Sequence, residues 1–276
     1  RVLNEKLTHH SLSDTWSDDE SAFFEVPLGD GVYTVFRPVY GDDEKVQWGV
    51  DDEASKINVN YATRDVLLKL PRMTEEMADA IIDWRDEDTT PGAAGAEESY
   101  YAALSVPYHC KNAPFESLEE LLYVRGITPE ILYGEDANLN GRLETNENDG
   151  DTSWPPDNRD GRLDPGLWSL LTVWSSDKNE AADGARRTNI NAATPAQLQE
   201  AGFTANEIQT INAIRLTRGP FGSIAHLLGS PNQGLAPVLS KERFKQLCDD
   251  LTIFDAEVVP GLVNLNTAPK QVLLAL

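Results

Sequence analysis

Asn58–Val59–Asn60–Tyr61–Ala62 recurs as Asn189–Ile190–Asn191–Ala192–Ala193 and again as Asn264–Leu265–Asn266–Thr267–Ala268. Leu67, Leu198 and Leu273 each stand nine residues after the first asparagine of their copy. Asparagine suits turns because its side chain bonds nearby backbone amides. The apolar residue between the asparagines points inward, and a helix follows. A repeat of this kind is a supersecondary unit, and it fixes the architecture more firmly than any single helix.

The helix starts are well signed. Thr194–Pro195–Ala196–Gln197 is a capping box with proline at the first helical position. Thr204–Ala205–Asn206–Glu207 is a second capping box, and it opens a helix expected to stop near Gly219. In the first copy, Thr74–Glu75–Glu76 puts acids in the first turn of a helix reaching about Arg85. Both copies are therefore expected to hold two helices, joined at Pro71–Arg72–Met73 and at Gly202–Phe203. Pro114–Phe115–Glu116–Ser117–Leu118 with Leu121–Leu122 then matches Pro220–Phe221–Gly222–Ser223–Ile224 with Leu227–Leu228. The repeat unit reads as an asparagine turn, a helical hairpin and a phenylalanine-anchored helix. Copy one carries an insertion, Asp86 to Ala113, that reads as a surface loop.

Residues 1–56 have a different character. Gly31–Val32–Tyr33–Thr34–Val35–Phe36 and Lys45–Val46–Gln47–Trp48–Gly49–Val50 read as short strands around the polar turn Gly41–Asp42–Asp43–Glu44, with Pro38 as a breaker. Two strands alone are marginal and call for more partners. The chain starts at Arg1 and ends inside the apolar run Leu274–Ala275–Leu276, so both ends read as cut. No apolar run approaches the ~18–20 residues of a membrane span.

The acidic stretch between the first two copies carries the chemistry. Asp136–Ala137–Asn138–Leu139–Asn140–Gly141–Arg142–Leu143–Glu144–Thr145–Asn146–Glu147 fills every constrained position of a twelve-residue calcium loop. Asp136, Asn138 and Asn140 supply side-chain oxygens at positions 1, 3 and 5. Gly141 turns the chain, Arg142 offers its carbonyl, Glu144 acts through water, and Glu147 closes the site with two oxygens. Oxygen-only ligation favours calcium over zinc or copper. No helix is expected after Glu147, so an opening sensor pair is not predicted. A second acidic turn, Asp157 to Asp164, keeps Asn158, Asp160, Gly161 and Asp164 at loop offsets 3, 5, 6 and 9. Its positions 1 and 12 are Pro156 and Leu167, so a second ion would borrow Asp149 or Asp151.

Net charge is −23, from 46 acidic and 23 basic residues, and the densest basic group is Arg186–Arg187. A duplex or lipid surface repels such a chain. The helical hairpins invite comparison with helix-hairpin-helix DNA-binding modules. Here, however, the turns lack paired glycines, and Pro71 removes an amide. Catalysis finds no constellation either. His109 and Cys110 are sequence neighbours, His9–His10 lies near one end, and His226 sits on a helix. Cys110 and Cys248 could pair, but two cysteines give no framework.

These residues together carry a family resemblance. The Asn-aliphatic-Asn-x-Ala turns with helical hairpins, and Ser11–Leu12–Ser13–Asp14–Thr15–Trp16 before the first strands, resemble the type II secretion minor pseudopilin K family (general secretion pathway protein K), from which the calcium segment departs in its dockerin-like spacing. The resemblance implies an α+β fold in which a pseudopilin-like antiparallel β-sheet part (1–57) is interrupted by a large inserted α-helical domain of repeated hairpins (58–262). That domain would hold the acidic calcium loop at 134–165, and a truncated third repeat would follow at 263–276. It also implies a non-catalytic structural subunit at the tip of a periplasmic pseudopilus. Its partners would be the minor pseudopilins I and J and, beyond them, secreted proteins. An N-terminal inner-membrane helix, absent here, would anchor it. The metal ligands expected from the two acidic turns are Asp136, Asn138, Asn140, Arg142, Glu147, Asp149, Asp151, Asn158, Asp160 and Asp164, of which the resemblance carries over only the acidic ones, with one calcium ion expected and a second allowed. The alternative is a calcium-dependent extracellular adhesion or scaffold module, which would not need the strands.

Overall fold

A computed structural model describes residues 18–37, 47–231 and 234–276. The turn Gly41–Glu44, Pro38, His9–His10 and Ser11–Trp16 lie outside the described residues. Helix and strand are mixed, and the chain divides into two compact units. The first holds residues up to Ser176 together with Pro260–Leu276, and the second is Asp177–Val259. The unit boundaries therefore fall after Ser176 and Val259.

Both units are built on the asparagine motif. In the first unit, strand Ile57–Asn58 pairs in parallel with Leu171–Thr172. In the second, Thr188–Asn189 pairs in parallel with Leu251–Thr252. The first asparagine of every copy accepts the amide of the second, at 3.0 Å for Asn60, 2.8 Å for Asn191 and 3.1 Å for Asn266. The apolar residue between them, Val59 or Ile190, is fully buried.

The second asparagine ties the motif to the phenylalanine element. Asn60 Nδ2 donates to the Phe115 carbonyl (2.9 Å) and its Oδ1 accepts the Phe115 amide (2.7 Å). Asn191 makes the same pair of bonds to Phe221, at 2.9 and 2.7 Å. The two phenylalanines are buried, and the elements they lead into are 3-10 helices, Leu118–Tyr123 and Ile224–Leu228.

The hairpins form as the caps predict. Thr74 caps Glu75–Arg85, and the capping boxes at Thr194 and Thr204 open Pro195–Glu200 and Ala205–Arg218, the latter stopping at Gly219. In each longer helix an arginine of the last turn reaches back onto the asparagine motif. Arg85 donates to the carbonyls of Val59 and Ala62 (2.5 Å for the latter). Arg215 donates to those of Ile190 (2.7 Å) and Ala193 (2.8 Å). Burial lowers the pKa of both guanidinium groups.

Three expectations are corrected. The insertion Asp86–Ala113 is not a plain surface loop: it holds helix Glu98–Tyr101, and it buries Ala96, Glu97 and Tyr101. Tyr101 meets Trp84 edge-on at 5.2 Å, so the insertion completes the core of the first unit. Leu273 is 43% exposed although it occupies the position of the fully buried Leu67 and Leu198. Among the described residues no helical hairpin covers it, and Val272 and Ala275 turn inward instead. The expected strand at residues 31–36 is split. Gly31–Tyr33 pairs with Val26–Leu28 and Phe36–Arg37 with Gln47–Trp48, while the Val35 amide bonds the Phe23 carbonyl (2.8 Å). Among the described residues no helix is long and apolar enough to cross a membrane.

Removing one clamp tests this frame. Asn60→Ala or Asn191→Ala leaves a phenylalanine amide without its partner, which costs roughly 1–3 kcal/mol. The denaturant midpoint of the full chain should fall for both variants, and an unchanged midpoint would show the clamp to be dispensable.

Candidate metal centre

Helix Pro129–Leu132 leads into the acidic segment at Gly134. The base of the segment is closed by backbone: the Glu135 amide donates to the Asp164 carbonyl at 2.7 Å. A Cβ on Gly134 would stand 2.0 Å from that same carbonyl oxygen, so only glycine permits the approach.

Within the loop, Asp136 and Glu147 are buried, at 0% and 1% exposure. Asp136 accepts the amides of Asn140 and Gly141, both at 2.9 Å. Glu147 accepts those of Ala137 (3.0 Å) and Glu144 (2.9 Å). Each carboxylate oxygen thus uses one lone pair on the loop backbone and keeps another. Asn138 Oδ1 accepts the Asn140 amide at 3.0 Å, and Asn140 Oδ1 accepts the Arg142 amide at 2.7 Å. The amide nitrogens of Asn138 and Asn140 both donate to Glu144 (3.1 and 3.0 Å). Arg142 sends its guanidinium over the Phe36 ring, 6.0 Å from the centroid, and not into the loop.

Burial raises the pKa of Asp136 and of Glu147. The charge of Glu144 adds to the rise for both, and that of Asp136 adds to it for Glu147. Two buried carboxylates that repel one another, in an all-oxygen donor set, match a hard cation in donor type and in burial.

The second turn copies the backbone of the first. Leu139 and Gly141 have φ of +59° and +71°, and Arg159 and Gly161, at the same offsets, have +58° and +73°. Its side chains are arranged differently from expectation. Asp149 caps its own turn, accepting from Ser153 N (3.1 Å) and Ser153 Oγ (2.7 Å), and Asp151 is exposed. Asn148 accepts the Gly161 amide (3.2 Å), and Asp157 accepts those of Asp149 (2.8 Å) and Gly150 (2.7 Å). Asn158 and Asp160 cap Asp160 N and Arg162 N, each at 2.8 Å. Asp164 pairs with Arg72 at 3.1 Å. Glu135, which the loop pattern leaves out, reaches across to the amides of Asn158 (3.3 Å) and Asp164 (3.0 Å). Its place just before position 1 offers no pattern by which sequence could have found it. Among the described residues, the acids whose oxygens lie within 4.8 Å of one another are Asp86, Asp88 and Glu97, outside this segment.

His109 and Cys110 do not face each other as base and nucleophile. His109 Nδ1 lies 2.7 Å from Glu98 Oε1, while the Cys110 thiol donates to the Asp83 carbonyl at 3.8 Å. Burial pushes the Cys110 thiol up to about 12, far from a reactive thiolate. Both cysteines are free.

Comparison with known proteins places part of this chain. Residues 52–133 match the family model of the type II secretion system (T2SS), protein K. They take in the first asparagine copy, its hairpin and the insertion, and they stop just before the acidic loop. The type II secretion system protein K of Pectobacterium carotovorum subsp. carotovorum is 35% identical over 92 residues, 31% of this chain and 28% of that protein. The protein K of Aeromonas hydrophila is 40% identical over 57 residues, 20% of this chain and 17% of that protein. The matched stretches thus span under a third of those relatives. A solved structure, the GspK-GspI-GspJ complex from the type 2 secretion system of enterotoxigenic Escherichia coli, holds a chain 18% identical to this one. The TM-score is 0.31, over 79% of this chain and 68% of that one. Residues 52–133 are thus the part of the chain that is similar to the type II secretion system protein K.

Proposed function

We propose that the chain is the assembled-side portion of a minor pseudopilin, a non-catalytic structural subunit at the tip of the type II secretion pseudopilus. The observation that carries this reading is the match of residues 52–133 to protein K. The subunit works by shape: the strand-rich start docks beside neighbouring pseudopilins, and the helical repeats cover the filament end. Its partners are the I-type and J-type minor pseudopilins, the kinds of chain found with GspK in the solved complex. It belongs to the bacterial cell envelope, on the periplasmic side of an inner-membrane anchor. The test is co-purification of the full-length protein with pseudopilins I and J from the same genome. A stable ternary complex is expected, and monomeric elution of the K-type chain in their presence would refute the reading.

Calcium stabilisation is the second part of the proposal. Asp136, Asn138, Asn140, the Arg142 carbonyl and Glu147 would hold one ion. Asn158, Asp160 and Asp164, with Asp149 and Asp151 nearby in sequence, mark where a second would sit. The support is the burial of Asp136 and Glu147 without a cationic partner among the described residues. A bound ion would neutralise that pair and pin the segment between the two repeats.

Calcium at about 100 times its Kd adds about 2.7 kcal/mol, or roughly 5–11 °C in the melting temperature of a unit this size. EDTA should remove that shift, and Glu147→Gln should abolish it by deleting the bidentate ligand. A melting curve that EDTA leaves in place refutes the calcium part alone.

The pH dependence has a definite sign. The folded pKa values of Asp136 and Glu147 are raised above the ordinary 3.8 and 4.5. Their contribution to metal-free stability is therefore fully present below those values and is lost as pH rises through the folded pKa values. In EDTA, amides of residues 134–148 should exchange faster with rising pH after correction for intrinsic exchange. Calcium should flatten that trend.

A further inference from the structure

The segment Pro260–Leu276 belongs to the first unit and closes one face of it. The Gly261 amide donates to the Ser175 carbonyl at 2.9 Å, and the Asn264 amide to the Ala54 carbonyl at 2.7 Å. Gly261 lies so close to Tyr61 that a Cβ there would stand 2.6 Å from the Tyr61 Cβ. Helix Lys270–Ala275 follows, with Val272 and Ala275 fully buried, and Lys69 Nζ donates to the Ala275 carbonyl at 3.0 Å. An extended stretch, a turn and a short helix are thus seated on Ala54, Tyr61, Lys69 and Ser175.

The second unit repeats that face, and there it is open. Counted from the first asparagine of each copy, Ala185, Ala192 and Glu200 hold the places of Ala54, Tyr61 and Lys69. Counted from the paired strands Leu171–Thr172 and Leu251–Thr252, Asp255 holds the place of Ser175. All of these counterparts line one groove of about 660 Å³, together with Asp250 and Phe254. The Phe254 ring is 42% exposed.

The differences between the two faces define what fits the open one. Ala192 leaves room for a side chain where Tyr61 admits only glycine. Lys69 answers the partial negative charge at a helix C-terminus, and Glu200 reverses its sign. Asp250, in the same groove, adds a second acid. The arginines of this face are engaged: Arg186 donates to the Asp255 carbonyl (2.5 Å) and Arg187 to the Asp249 carbonyl (2.8 Å). The Asp255 and Ala185 carbonyls each take one donor from the chain and keep a second lone pair. A helix end entering this groove therefore needs a cation of its own beside its last turn.

We propose that the groove receives a segment of another protein chain, extended and then helical, with lysine or arginine at the end of its helix. An ion pair with Glu200 replaces the bond that Lys69 makes in the first unit, and the Phe254 ring offers apolar contact. The groove lies within the second unit and depends neither on an ion in the acidic loop nor on the pseudopilus reading.

The test uses the full chain and two synthetic peptides with the sequence of residues 258–276, fluorescein-labelled at the start. One carries Leu276→Lys and a C-terminal amide, and the other keeps Leu276 and a free carboxylate. Binding is read by fluorescence anisotropy, and photo-leucine in place of Leu262 maps the site by cross-linking. The parent should bind the lysine peptide at least about tenfold more tightly than the carboxylate peptide, because like charges at a contact are strongly unfavourable. Glu200→Lys should reverse that order, a gain that a misfolded variant cannot imitate. Cross-links should fall within residues 185–201 and 250–255. Absence of saturable binding, an order that Glu200→Lys leaves unchanged, or cross-links confined to residues 52–70 would each overturn the proposal. Sedimentation of the full chain by itself adds one more arm: self-association that Glu200→Lys removes would make the occupant a second copy and overturn a distinct partner.

Discussion

The side chains of Asn60 and Asn191 stand where a strand neighbour would otherwise be needed. Each offers an acceptor and a donor in the plane of one amide, and each gives both to the backbone of a buried phenylalanine. Buried backbone groups must find partners, and Phe115 and Phe221 lie beside chain that runs through turns, with no ladder to join. The clamp therefore permits the phenylalanine to be buried, and the 3-10 helix behind it can then cover the hairpin. Arg85 and Arg215 complete the arrangement from the other side by taking the carbonyls that the asparagine turn leaves over. Strand, hairpin and phenylalanine element are thus joined by a few polar side chains, and the apolar core fills in around them.

The same economy governs the acids. The sequence is strongly negative, yet several carboxylates lie inside. Asp79 is balanced by a guanidinium, Asp83 by loop amides, and Glu135 by the amides of the second turn. Asp136 and Glu147 have amides but no cation among the described residues. Buried acids are thus answered to different degrees by the chain itself.

Helix caps, the three asparagine motifs and the calcium-loop pattern were legible in the sequence because each is a local rule. Thr74, Thr194 and Thr204 cap their own next turn, and Asn58, Asn189 and Asn264 bond an amide two residues on. The turn at Asp157–Asp164 was visible for the same reason, down to its repeated positive φ values. Such interactions need no knowledge of what lies across the fold.

What the tertiary structure decided is what couples distant residues. Parallel pairing of Ile57–Asn58 with Leu171–Thr172 joins segments more than a hundred residues apart, and no periodicity encodes that choice. The roles of Arg85 and Arg215 depend on where a helix end arrives, not on a motif. Leu273 shares the sequence position of Leu67 and Leu198, but burial needs a covering helix as well as a pattern. The insertion Asp86–Ala113 looked like solvated loop by composition, because its glycines and acids are polar on average. Only close packing on Asp83, and the edge-on contact of Tyr101 with Trp84, turned it inward and left Glu97 buried. Local hydrogen bonding is written in residue order, whereas burial is a property of the whole fold.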